Sequence, residues 1–229
     1  MQLLVSVASV VEASAALAGG ADIIDAKDPL AGALGAVSAE VFRDICAVVG
    51  RSCPVSAALG DAADEAAIEH AAHAFAVLGA AFMKVGFAGI VSAARVGALI
   101  AAAVGGARDG KSRVVAVMYA DAQSGAGLAS YALVEVAART GAKGVLLDTA
   151  DKHGPGLRDL VAPHALAAWV AVAHDAGMLV ALAGKLTADD LSFVRDAGAD
   201  IAGVRGAACD GGRTGRIVAD KVRRLRQYW

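Results

Sequence analysis

Two lysines sit where a lysine needs a chemical reason. Lys27 closes the stretch Ala21-Asp-Ile-Ile-Asp-Ala-Lys27, and Lys84 lies inside Ala80-Ala-Phe-Met-Lys-Val-Gly86. Both stretches read as short strands, along which side chains alternate between faces. Ile23, Asp25 and Lys27 therefore share one face, and polarity rises along it toward the C-terminal end. A lysine so placed either closes a salt bridge with Asp25 or Asp28, or offers an amine whose pKa burial and neighbouring cations lower. An amine of the second kind is a Schiff-base nucleophile.

The same alternation recurs in other apolar stretches. The fourth strand carries Phe82 then Lys84, the fifth Val117, Tyr119 and Asp121, and the sixth Leu146 then Asp148, with Lys152 in the loop that follows. The eighth carries Ile201, Gly203 and Arg205. Charged side chains are seldom buried unpaired, so lysines and carboxylates in one parity class are expected to meet. For Lys84 and Lys152 two readings stand: phosphate binding or ion pairing with Asp148 and Asp151, and acid/base catalysis. Tyr119 and Asp121 either support the core or orient substrate or a catalytic amine. Four of the seven lysines, Lys27, Lys84, Lys152 and Lys185, fall at strand ends or in the loops after strands, where arginine would supply charge but no titratable amine.

The elements that must position these residues repeat one phrase: an Ala-rich helix, a Gly turn, then a short Val/Ile/Leu strand. Gly19-Gly-Ala-Asp-Ile, Gly141-Ala-Lys-Gly-Val and Ala197-Gly-Ala-Asp-Ile mark three of the helix-to-strand junctions, with Gly as the helix C-cap. Ser9 and Thr187 read as N-caps and Pro163 as a first helical residue. Eight strands are expected, near residues 3–7, 21–27, 54–60, 80–86, 113–121, 143–149, 178–184 and 199–206. Short apolar strands alternating with helices mean a parallel sheet covered on both faces. Eight units in 229 residues make an α/β fold, a single-domain (β/α)8 TIM barrel over residues 1–229. An open doubly wound sheet would be expected to show a Gly-x-Gly-x-x-Gly after its first strand, and none is there.

In such barrels chemistry collects at the C-terminal ends of the strands, and the loops after strands seven and eight often hold phosphate. Here they read Ala183-Gly184-Lys185 and Val204-Arg205-Gly206-Ala207-Ala208. Glycines let backbone N–H groups approach an anion, and Arg205 is expected to grip it bidentately, which points to a phosphorylated substrate. Gly211, Gly212 and Gly215 read as a mobile tail leading to the last helix.

A formal charge of −2 argues against a broad nucleic-acid surface. No charge-free run is long enough for a membrane span. Three cysteines without repeated spacing suggest neither a disulfide framework nor zinc, and fit a reducing cytoplasm. His70 and His73 lack the companions of a metal site. Ala-rich helices such as residues 91–104 would suit a subunit interface in a homo-oligomer.

At these residues the chain resembles the (5-formylfuran-3-yl)methyl phosphate synthases of methanofuran biosynthesis. The resemblance covers nearly the whole length and is carried by Leu3-Leu-Val-Ser6, Gly19 to Lys27, Gly32 to Ala36, Met83-Lys-Val-Gly86, Tyr119-Ala-Asp121, Leu147-Asp-Thr-Ala150 with Lys152, Ala181-Leu-Ala-Gly184 and Gly203 to Cys209. It implies a barrel that condenses two molecules of glyceraldehyde 3-phosphate into a phosphorylated hydroxymethyl-furaldehyde, with loss of one phosphate and two waters and with no metal or organic cofactor. By the resemblance Lys27 matches the Schiff-base lysine and Lys84 the proton acceptor; the nearby cationic centre is expected to keep Lys84 partly neutral. By the resemblance Asp25, Asp148 and Lys152 match polar residues around the reacting carbons; from the loop reading, Gly184, Lys185, Arg205, Gly206 and Ala207 are expected to bind phosphate. The chain departs from the family pattern at Asp28, at Lys185, where a small hydroxyl residue is usual, and at Pro155-Gly156. The residues without the resemblance are equally compatible with a class I aldolase on another phosphosugar, or with a non-catalytic barrel that binds a phosphorylated ligand.

Overall fold

A computed structural model of the chain describes residues 1–122, 127 and 129–228. Eight parallel strands close into a barrel in sequence order: β1 (Gln2–Val7), β2 (Ile23–Ala26), β3 (Val55–Asp61), β4 (Phe82–Gly86), β5 (Arg113–Tyr119), β6 (Gly144–Asp148), β7 (Leu179–Leu182) and β8 (Ile201–Val204), with β8 pairing back onto β1. The helices are α1 (Val10–Ala18), α2 (Ala39–Val49), α3 (Glu65–Val77), α4 (Ala93–Gly106), α5 (Ser130–Thr140), α6 (Leu157–Leu160), α7 (Pro163–Asp175), α8 (Leu191–Asp196) and α9 (Ala219–Leu225). The expected (β/α)8 barrel is thus the observed one.

Local chemistry sets the helix starts. Ser9, Ser38, Asp64 and Ser92 each accept a hydrogen bond from a backbone N–H in the first turn of the helix they precede. Pro163 opens α7, where its missing N–H costs nothing. Thr187 caps a 3-10 turn (Ala188–Asp190) that runs into α8.

Every strand is buried on both faces, and its two faces do different things. One face packs against the helices in a large apolar shell that includes Leu3, Val5, Ile24, Met83, Val145 and Val180. The other points into the barrel, whose interior holds Leu4, Ile23, Phe82, Val117, Leu146 and Ile201. Arg113, at the start of β5, lays its guanidinium over the Phe82 ring at 4.4 Å, closing the N-terminal end of the barrel. Further along, the same inward parity class carries Ser6, Asp25, Ser56, Lys84 and Asp148, all buried. The interior therefore changes from apolar to charged toward the C-terminal ends of the strands.

β2, β5, β6, β7 and β8 end one or two residues earlier than the apolar runs suggest, while β1 and β4 end where expected and β3 runs one residue further, so Lys27 and Thr149 lie just beyond the ladder. The segment after β8 departs more. Gly211 and Gly212 form no free tail: with left-handed φ values of 80° and 75°, they turn a two-stranded antiparallel hairpin, β9 (Cys209–Asp210) with β10 (Arg216–Ile217). A Cβ on Gly215 would lie 1.7 Å from the Asp210 carbonyl oxygen, so the close pairing itself demands glycine there.

Gly86 is the second place where the fold needs a missing side chain. Tyr119 donates to Asp61 Oδ1 at 2.9 Å, and a Cβ on Gly86 would meet that oxygen at 2.1 Å and the Tyr119 hydroxyl at 2.7 Å. Gly86→Ala is expected to break this tie between β3 and β5 and to cost about 1–3 kcal/mol, read as a lower urea midpoint with an unchanged slope.

Candidate active site

The register of three neighbouring strands builds the centre of the site. Ser6 pairs with Asp25 across β1 and β2, and Asp25 with Ser56 across β2 and β3. Both hydroxyls donate to the Asp25 carboxylate, Ser6 to Oδ2 at 2.7 Å and Ser56 to Oδ1 at 2.6 Å. Lys84 Nζ completes the set with a 2.6 Å bond to Oδ2. Burial alone would raise the Asp25 pKa, but the Lys84 and Lys27 ammonium groups and these hydrogen bonds outweigh it and hold the carboxyl below its ordinary value. Neither serine is an obvious functional residue in the sequence. Their one signal is parity: each shares the inward face with an apolar barrel residue two positions away, Leu4 and Ala58.

A second ion pair faces the first across the barrel mouth. Lys152 Nζ bonds Asp148 Oδ1 at 2.7 Å, and the Thr149 N–H donates to the same oxygen. Burial pushes the Asp148 pKa up, yet Lys152 and Lys27 pull it below the ordinary value. Asp121, expected to orient substrate or an amine, instead accepts from the N–H groups of Ala150 and Asp151, each at 2.7 Å. It ties down the loop that carries Lys152. Tyr119 faces the barrel interior, but its hydroxyl is occupied by Asp61, and burial followed by that carboxylate drives its pKa upward.

Lys27 is different from its companions. It is 8% exposed and, among the described residues, has no carboxylate within ion-pairing distance. Burial lowers its pKa from 10.5 to about 8; Asp148 opposes the shift and Lys84 adds to it. The amine opens into a cavity of about 570 Å³ whose wall also contains Lys84, Asp148, Lys152, Gly184, Gly206 and Ala207. Asp25 does not line this cavity and acts from behind Lys84.

The loops after β7 and β8 form one side of the cavity. Gly184 has φ of +107° and Lys185 of +57°, so a lysine occupies a left-handed position usually left to glycine. Its exposed ammonium bonds the Gly154 carbonyl. Gly206 and Ala207 begin a 3-10 turn (Gly206–Ala208), where the first N–H groups lack partners within the turn.

Arg205 corrects the sequence reading. Its five N–H groups are all engaged: Nε with the Arg213 carbonyl, Nη1 with the Ser6 carbonyl and Glu12 Oε2, and Nη2 with Glu12 Oε1 and the Gly215 carbonyl. A guanidinium has no sixth donor, so Arg205 has none left to grip a phosphate. It fastens the hairpin to β1 and α1. Glu12, its bidentate partner, sits on a helix whose sequence gives no hint of a long-range role. Among the described residues, no group of three or more His, Cys, Asp or Glu side chains is arranged to hold a metal.

Comparison with known proteins adds an independent line. The profile of the family described as 4-HFC-P synthase matches residues 3–226. The (5-formylfuran-3-yl)methyl phosphate synthase of Methanopyrus kandleri is 39% identical over 98% of this chain and 97% of its own. The enzyme of the same name from Methanocaldococcus jannaschii is 38% identical over 99% of both. Among solved structures, a 3-hexulose-6-phosphate synthase superposes with a TM-score of 0.64 at 23% identity, covering 98% of this chain and 99% of its own. The phosphoribosyl anthranilate isomerase of Thermus thermophilus superposes with a TM-score of 0.66 at 14% identity, covering 100% and 98%. At these identities the two structures speak for the fold alone.

The geometry sets two expectations for stability. A lysine whose folded-state pKa is lowered from 10.5 to about 8 opposes folding fully below about pH 8. Between those two values the unfolded chain binds more protons, so stability rises with pH. Lys27→Met is expected to be more stable than the wild type at pH 7 by about 3 kcal/mol, with the gap closing between pH 8 and pH 10.5 in urea titrations. Asp25→Asn leaves the buried Lys84 ammonium without its carboxylate and is expected to cost about 3–5 kcal/mol in the same measurement.

Proposed function

The chain belongs to the 4-HFC-P synthase family, and on that premise we propose that it is a Schiff-base lyase acting in methanofuran-type cofactor biosynthesis. It condenses two molecules of glyceraldehyde 3-phosphate to 4-(hydroxymethyl)-2-furancarboxaldehyde phosphate, releasing one phosphate and two waters. The observation that carries this reading is Lys27: a buried amine without an ion pair among the described residues, depressed to about 8, opening into a cavity beside two glycine-containing loops. At pH 7 such an amine is about one-tenth neutral, against about one part in 3,000 for an ordinary lysine, a gain of about 300-fold in nucleophile.

Lys27 attacks the aldehyde carbon of one triose phosphate, and loss of water gives the iminium. The iminium acidifies the adjacent carbon, whose proton passes to Lys84 Nζ as Lys84 hands one of its own protons to the Asp25 carboxylate behind it. Asp25 is well suited to hold Lys84 in place, because three donors fix its own orientation. The carbanion adds to the second aldehyde. Phosphate loss, ring closure and dehydration follow, with Lys152 and Asp148 at the opposite wall as the second proton-transferring pair. The N–H groups of Gly184, Gly206 and Ala207 hold the retained phosphate, and Lys185 adds positive charge at the rim. No organic cofactor or metal is needed for this sequence of steps.

Borohydride added with glyceraldehyde 3-phosphate should leave a reduced adduct on Lys27, seen by mass spectrometry, while untreated samples release phosphate and form a furan phosphate. The trapping rate should rise with pH through a half-maximum at about 8 and level off above about pH 9 as the amine becomes fully neutral. Absence of both adduct and phosphate release would remove the proposal. An adduct without furan would favour a class I aldolase on another phosphosugar.

A further inference from the structure

Charge pairing around the cavity is uneven. Lys84 is matched by Asp25, Lys152 by Asp148 and Arg205 by Glu12. Three other cations in the same wall, Lys27, Lys185 and Arg213, have no ion pair among the described residues. Lys27 is explained by its role as nucleophile, and Lys185 lies beside Gly184. Arg213 is used by nothing described so far.

Its placement is specific. Arg213 stands in the turn between β9 and β10, and its backbone lies against Gly206, where a Cβ would meet the Arg213 nitrogen at 3.8 Å. From there the side chain crosses to the loop after β2, where Nη1 donates to the Pro29 carbonyl and Nη2 to the Gly32 carbonyl at 2.8 Å. Those two bonds leave three of the five N–H groups of a guanidinium that also forms part of the cavity wall. Burial, then the neighbouring Arg205, lowers its pKa, while Asp148 and Asp28 oppose the shift without pairing with it. The hairpin that carries Arg213 is itself fixed, because Arg205 binds the carbonyls of both Arg213 and Gly215. The cation is thus held on a rigid mount and lacks an anion.

We propose that Arg213 is a substrate-binding residue that holds a second phosphate, the one not seated on Gly184, Gly206 and Ala207. This assignment rests on the phosphotriose reading above. Joining the carbon beside the iminium of one C3 monophosphate to the aldehyde carbon of the other gives a branched six-carbon skeleton whose two phosphates cap a run of five carbons. A cavity that grips both ends retains that intermediate until one phosphate leaves. Arg213 also ties the loop that begins at Lys27 to the hairpin, through the Pro29 and Gly32 carbonyls.

The test compares 1,5-pentanediol bisphosphate, an unreactive bisphosphate with the same five-carbon spacing, with inorganic phosphate by calorimetry on the wild type and Arg213→Gln. The glutamine amide can still donate to a loop carbonyl but carries no charge. The wild type is expected to bind the bisphosphate at least about tenfold more tightly than inorganic phosphate. Arg213→Gln should lose about tenfold for the bisphosphate and stay within about threefold for inorganic phosphate. Unchanged bisphosphate binding in the variant overturns the proposal. So does an equal loss for both ligands, which would mean that the variant has only disturbed the cavity. Borohydride trapping on the same wild-type sample separates the two readings. A protein that prefers the bisphosphate through Arg213 yet forms no Lys27 adduct refutes the Schiff-base chemistry and supports the anion site.

Discussion

The buried bond between Asp25 and Lys84 is the constraint on which the rest of the barrel interior depends. Neither charge would be tolerated there alone, since an isolated ion in a protein interior is costly and usually neutralises itself. Together, with Ser6 and Ser56 saturating the carboxylate, they form a closed polar cluster, and no buried side-chain nitrogen or oxygen among the described residues lacks a partner. That cluster sets the electrostatic level against which Lys27 titrates. Lys84 adds to the effect of burial and keeps the neighbouring amine easy to deprotonate, while Asp25 and Asp148 limit the shift.

The barrel separates stability from chemistry along its own axis. At one end Leu4, Ile23, Phe82, Leu146 and Ile201 fill the interior, capped by Arg113 over the Phe82 ring. At the other end the same inward positions carry charge. The apolar layers and the outer helix-facing shell supply hydrophobic burial that a lysine-rich mouth cannot, so two carboxylates and three lysines can gather there without unfolding the protein. Lys185 fits the same division. It points its ammonium toward Gly154 at the rim and does not enter the Asp25–Lys84 cluster.

The hairpin after β8 shows how far a single arginine can organise a surface segment. Arg205 spends every donor on β1, α1 and the hairpin, which makes it a structural bolt and moves the task of meeting an anion to Arg213. Two arginines eight residues apart thus divide the work that the sequence assigns to one.

What the sequence determines by itself is what repeats and what alternates. Period-two alternation puts Asp25, Lys27, Lys84 and Asp148 on the inward side of their strands, and the helix–glycine–strand phrase implies eight parallel strands, because both follow from local backbone geometry. The family could also be read from the motifs around these residues. Tertiary structure alone decides which charges meet. Inter-strand register places Ser6 and Ser56 beside Asp25, and closure of β8 onto β1 brings Arg205 within reach of Glu12, 193 residues away in sequence. A hairpin turn carries Arg213 to a loop 181 residues earlier. Those contacts depend on distances across the barrel mouth, which no local pattern encodes, and they explain why Lys27 keeps a free amine while Lys84, Lys152 and Arg205 are paired.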